Sequence, residues 1–162
     1  MKLVLIGFMG SGKTTVANIL AKKLSLEAVE MDDLIVKKEG KTINQIFNEE
    51  GETKFRQLET EMSKDLSKKE NVVISTGGGV VINKVNVESL GKNGKVIFLK
   101  TSFSEINKRL KSVNNRPLFK DKKSAKKLFD SRQKLYEENA DLIINTDGKS
   151  VDKIAYEIIS QN

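Results

Sequence analysis

The start of the chain limits its fold more than any other segment. Residues 7–14 read GFMGSGKT, so Gly7, Gly12, Lys13 and Thr14 meet the spacing G-x-x-x-x-G-K-[ST], with Gly10 inside the loop. An apolar run, LVLI at 3–6, precedes the loop, and Val16, Ile19, Leu20 and Leu24 follow it at helical spacing. This order predicts strand, tight loop, helix. Successive backbone N–H groups can wrap a polyphosphate only where the chain comes close with positive φ, which glycine adopts without a Cβ clash. The helix opening near Lys13 turns its unpaired N–H groups and positive dipole end to the same anion. Lys13 can then reach the β- and γ-phosphates, and the Thr14 hydroxyl is placed for Mg²⁺. The pattern points to nucleoside triphosphate binding and leaves the acceptor open.

Composition removes several other chemistries. With no cysteine and no histidine among 162 residues, disulfides, thiol nucleophiles, His-based triads and the usual zinc sites are excluded. Any metal is then a hard, oxygen-bound ion such as Mg²⁺. The length fits a single domain over 1–162, and no stretch approaches the roughly 18 apolar residues of a membrane span. A soluble, cytoplasmic protein is expected. The formal charge of +7 invites a nucleic-acid partner, but lysines are interleaved with Glu and Asp, and aromatics make up only 6%. A solvated surface explains the charge better. Of 29 basic side chains only four are arginine, Arg56, Arg109, Arg116 and Arg132. In a chain that otherwise uses lysine, these mark candidate sites for a planar, bidentate donor or a stacking plane.

Further along, residues 27–31 read as a second strand ending in Glu30, Met31, Asp32 and Asp33. In open α/β sheets ligands bind outside the carboxyl ends of strands, so a carboxylate here can face Mg²⁺ or an acceptor hydroxyl. Asp is also a good helix cap; one of the two aspartates is expected to cap and the other to serve chemistry. Residues 34–70 read as mostly helical, broken at Gly40 and Gly51, with Arg56 and Glu59 spaced to pair as an ordinary surface couple. A strand at 72–75 runs into Gly77, Gly78 and Gly79, a costly run that implies close approach by a ligand or another backbone. Helices are expected at 85–90, 102–110, 124–139 and 151–159, the third with Leu128, Phe129, Leu135 and Tyr136 as its apolar set, and strands at 96–99 and 141–145. The basic segment 111–123, with the only proline, reads as a lid whose Arg116 could close on a transferring phosphoryl group. Strands alternating with helices predict a parallel sheet covered on both faces.

Taken together, GFMGSGKTT at 7–15, the acidic end of strand two with GKTINQIF at 40–47, FRQLE at 55–59, STGGGVV at 75–81, NRPLF and RQKLYEENADLII resemble the shikimate kinase family along the whole chain. The resemblance implies an α/β fold of the nucleoside monophosphate kinase type, a five-stranded parallel sheet in the order 2-3-1-4-5 with a mobile lid at about 111–123 and substrate-binding helices at about 32–60. It implies transfer of the γ-phosphoryl of MgATP to the 3-hydroxyl of shikimate, within aromatic amino acid biosynthesis, by a monomer without nucleic-acid or membrane partners. Carried over by position, Gly10, Ser11, Gly12, Lys13, Thr14 and Thr15 hold ATP phosphates, Lys13 stabilises the transferring group, and Thr14 ligates Mg²⁺. Asp32 binds the acceptor hydroxyls, Arg56 and Arg132 grip its carboxylate, and Gly77, Gly78 and Gly79 line it, Gly78 offering a backbone N–H. Arg116 is the lid arginine and Arg109 lies against adenine. The family's Asp-x-Asp is here Glu30-Met31-Asp32, which puts a carboxylate one methylene longer near Mg²⁺. Gluconate or a nucleoside monophosphate as acceptor, and a nucleotide-dependent nucleic-acid-binding module, are the other readings of the residues.

Overall fold

The computed structural model describes residues 1–110 and 122–162. Its five strands, β1 (Lys2–Ile6), β2 (Glu27–Glu30), β3 (Val72–Ser75), β4 (Lys95–Lys100) and β5 (Leu142–Asn145), form one sheet in the order β2-β3-β1-β4-β5. Every pairing is parallel; Val4 of β1 lies opposite Ile74 on one side and Val96 on the other. Parallel strands need crossovers, and the crossovers place helices on both faces. Alternation along β1 divides the core accordingly. Leu3 and Leu5 meet α1 (Lys13–Leu24) and α7 (Val151–Ser160) through Val16, Leu20, Ile154 and Ile158. Val4 and Ile6 face the other layer, where α3 (Ile43–Ser67), α4 (Lys84–Gly91) and α6 (Lys122–Asn139) contribute Leu58, Met62, Leu90, Phe129 and Tyr136. The predicted strand order and two-sided covering are therefore observed.

Three local features set the site. First, β2 ends at Glu30, and α2 (Met31–Glu39) begins at the next residue. The cap position is Glu30, whose side chain makes no capping bond, while Asp32 and Asp33 both lie inside the first turn. The expectation that one aspartate caps is thus corrected. There the aspartates still complement the positive end of the helix dipole. Their side chains also diverge by the helical rotation instead of the strand alternation. Second, α3 starts with a capping box between Thr42 and Gln45 and is interrupted at Gly51, with φ 84° and ψ 168°. Third, a short 3-10 turn, Val80–Ile82, follows the triple glycine and leads into α4. The helix α5 (Phe103–Leu110) follows β4 and carries Arg109. The expected lid at 111–123, with Arg116, falls almost wholly outside the described residues. None of the described helices is long and apolar enough to cross a membrane.

Candidate active site

The carboxyl ends of β1, β2, β3 and β4 bring the predicted residues to one edge of the sheet. Gly10 and Gly12 adopt left-handed conformations, φ 80° and 90°, as the loop turns from β1 into α1. Lys13 is buried, and its Nζ donates to the carbonyls of Gly7 at 2.7 Å and Phe8 at 3.1 Å, so the ammonium arches across the loop mouth. Ser11 lies within the loop, its hydroxyl buried, and Thr14 and Thr15 stand in the exposed first turn of α1. Thr14 Oγ1 donates to Glu30 Oε2 at 2.6 Å and lies 3.5 Å from Ser75 Oγ. The longer Glu30 side chain spans from the end of β2 to the hydroxyl that opens α1. A cavity of about 310 Å³ adjoins this pair, lined by Asn18 and Asp33 among others. Its oxygen donors suit Mg²⁺, which takes one or two carboxylates and completes its shell with waters and substrate phosphates. No cluster of three acidic, His or Cys side chains able to hold a metal alone occurs among the described residues.

The triple glycine forms the floor of a second half-site. A Cβ at Gly77 would lie 2.8 Å from Asp32 Oδ1 and 3.3 Å from Glu59 Oε2; one at Gly79 would fall 2.7 Å from Arg56 Cζ. Gly78 is wedged between the phosphate loop and α6: its Cβ would meet Met9 N at 3.3 Å and Arg132 Nη1 at 3.7 Å. The glycines are needed for space, since none of the three has a positive φ. Asp32, Arg56 and Arg132, from α2, α3 and α6, thus converge on one loop that touches the phosphate loop. Arg109 instead lies over the outer face of that loop. Its Nη1 donates to Gly10 O at 3.3 Å, and its Nε pairs with Glu105 at 3.6 Å.

A family model described as Shikimate kinase matches residues 9–162. The shikimate kinase of Caldicellulosiruptor bescii is 47% identical over 161 residues, covering 98% of this chain and 93% of its own. The chain belongs to the shikimate kinase family. Among solved structures, the shikimate kinase from Acinetobacter baumannii in complex with shikimate superposes with a TM-score of 0.92 at 34% identity, covering 99% of this chain and 91% of that one. The Aquifex aeolicus shikimate kinase gives 0.87 at 39% identity, with 99% and 95% covered.

Within this shikimate kinase fold the Arg56–Glu59 pair is not the surface couple expected from its spacing. Arg56 Nη1 donates to Glu59 Oε1 at 2.6 Å, and Glu59 is only 1% exposed. Burial pushes the Glu59 carboxyl above its usual range and nearby Asp32 adds to this, while Arg56 and Arg132 oppose it. A second contact was hidden by periodicity. Tyr136, assigned by its spacing to the apolar face of α6, is fully buried against Phe98, yet its hydroxyl donates to Gly78 O at 2.6 Å. A buried phenol requires a partner, so the sequence carried the signal but not the partner's identity. Ser75, at the end of β3, and Asp33, which lines the same cavity as Glu30, are site neighbours to which the motifs gave no definite role.

Proposed function

We propose that this member of the shikimate kinase family transfers the γ-phosphoryl of MgATP to the 3-hydroxyl of shikimate, with the residue roles that follow. The convergence of Arg56, Arg132 and Asp32 on the triple glycine, immediately beside the phosphate loop, carries these assignments. Two guanidiniums that approach one glycine loop suit a carboxylate, which each can grip with parallel N–H donors. Asp32 orients the acceptor hydroxyl or accepts its proton, and the Gly78 N–H lines the pocket. The residues from Gly10 to Thr15 hold the phosphates, and Lys13 exchanges its loop carbonyls for phosphate oxygens. Arg116, outside the described residues, is assigned the lid role, and Arg109 the adenine contact. Thr14 and Glu30 would hold Mg²⁺, which when bound neutralises charge on the β- and γ-phosphates. Catalysis is then positioning plus electrostatic stabilisation, with no covalent intermediate on the protein. The chain is proposed to act in the cytoplasm as a monomeric, single-domain enzyme on two small molecules, with neither nucleic acid nor membrane as a partner.

The deciding experiment is ADP release from MgATP with and without shikimate, beside gluconate and nucleoside monophosphates. Stimulation by shikimate alone is expected. For the carboxylate grip, Arg132→Lys keeps the charge but loses the fork, and should weaken shikimate binding by about tenfold or more. Unchanged shikimate affinity in that variant would defeat the Arg132 assignment.

A further inference from the structure

Tyr136 belongs to neither half-site by sequence, yet it links them. Its phenol is enclosed, its ring lies 5.0 Å from that of Phe98 on β4, and its hydroxyl donates to the carbonyl of Gly78. Arg132, one helical turn earlier on α6, lies beside the same glycine, its Nη1 3.7 Å from where a Gly78 Cβ would be. Gly78 in turn stands against the backbone of the phosphate loop at Met9 and Gly7. One hydroxyl therefore bonds the middle glycine of the loop, which lies against the phosphate loop and Arg132.

We infer that Tyr136 is a positioning residue for the acceptor: it fixes the peptide at Gly78, beside the Arg132 guanidinium, in the register that receives the acceptor. The inference depends on the acceptor site proposed above. Physically, a peptide flanked by two glycines has little steric restraint of its own, because no Cβ limits its rotation. The hydrogen bond to Gly78 O holds that carbonyl toward α6. The neighbouring N–H groups are thereby kept in one orientation relative to the pocket. Burial keeps the phenol protonated far above the ordinary range, so the donor persists at every working pH.

The test compares full-length Tyr136→Phe, Arg132→Lys and Lys2→Met with the parent enzyme, by steady-state kinetics and thermal melting. Lys2 is buried at the opposite end of the sheet, where it donates to Ser67 O and Lys92 O, so its variant loses stability without touching the site. Tyr136→Phe keeps the ring and deletes the hydroxyl. It should raise the shikimate KM by about five- to tenfold, the worth of one buried hydrogen bond, and leave the ATP KM within about twofold. Lys2→Met should lower the melting temperature and move neither KM. Equal change in both KM values for Tyr136→Phe, or none in the shikimate KM, overturns the inference. If Arg132→Lys loses shikimate affinity while Tyr136→Phe keeps it, the inference fails and the acceptor site stands. If neither loses it, both fail.

A second measurement does not depend on the variant folding. The chain has two tyrosines, and the other, Tyr156, is 70% exposed. With fluorotyrosine incorporated, the buried fluorine resonance should shift when shikimate is added without nucleotide, and the exposed one should not. A buried resonance unmoved by saturating shikimate also overturns the inference.

Discussion

Glu59 sits where two arginines, an aspartate and a glycine backbone meet, and its energetics differ from those of a surface carboxylate. Its pair with Arg56 is enclosed, so the desolvation cost is large and the mutual attraction must offset it. Because its folded-state pKa is raised above 4.5, Glu59 favours the folded state most when protonated. That contribution is present below the unfolded value and is lost as pH rises through the folded one. Glu59→Gln removes this titration. Measured by denaturant unfolding, the parent's stability relative to Glu59→Gln should be higher near pH 4.5 than at neutral pH, opposite to the usual carboxylate trend. No difference between the two pH values would mean that burial does not govern this group. The spacing of Arg56 and Glu59 was legible in the sequence, but their enclosure was not. It arises because α2 and the glycine loop close over that turn of α3, and these contacts are distant along the chain. Tyr136 is similar: helical periodicity correctly placed its ring inside, but could not show which carbonyl its hydroxyl would meet.

Elements were easier to read than their junctions. The strands follow the apolar runs, and helix positions follow the 3.6-residue pattern, because burial of one stripe dominates both. The start of α2 was misread because Asp is a strong cap in isolation. Here Met31, fully buried, has to enter the core straight from β2, which leaves no room for a capping residue beyond Glu30. Glycines show the same division between local and tertiary causes. Gly51 has φ 84° and ψ 168° with open space around it, whereas Gly79 has φ −98° and a guanidinium where its Cβ would be. Gly51→Ala should therefore cost about 1–3 kcal/mol of stability, through a backbone region that is almost exclusive to glycine. Gly79→Ala should instead displace Arg56 and weaken shikimate binding by about tenfold, with a smaller loss of stability. Calorimetric shikimate titration alongside thermal melting separates the two; the opposite pairing of effects would refute this account of both glycines.

At the scale of the molecule, strand order alone dictates where chemistry can occur. The chain leaves β1 for β2 and β3 on one side and later crosses to β4 on the other, so a crevice opens at the carboxyl end of β1. Every assigned side chain that the structure describes lies near that edge, where the phosphate-loop motif of the first residues also falls. The opposite end is devoted to stability. Lys2 Nζ bonds the carbonyls of Ser67 and Lys92 at 2.7 and 3.0 Å, joining the ends of α3 and α4 to β1. Replacing it by methionine strands two carbonyls at a cost of about 1–3 kcal/mol, or several degrees of melting temperature. Activity per folded molecule should be unchanged. A drop in turnover at constant folded fraction would show that the two ends of the sheet are coupled.

The partition between the proposed nucleotide and acceptor halves also bears on how such an enzyme could change its diet. At Gly78 the wall between these proposed halves is bare main chain, where a Cβ would lie 3.3 Å from Met9 N and 3.7 Å from Arg132 Nη1. It offers no side chain for drift or design to rework, and even a methyl there would crowd the backbone of Met9. New acceptors must therefore be accommodated from the helical wall, through α2 and α3, while the partition stays as it is.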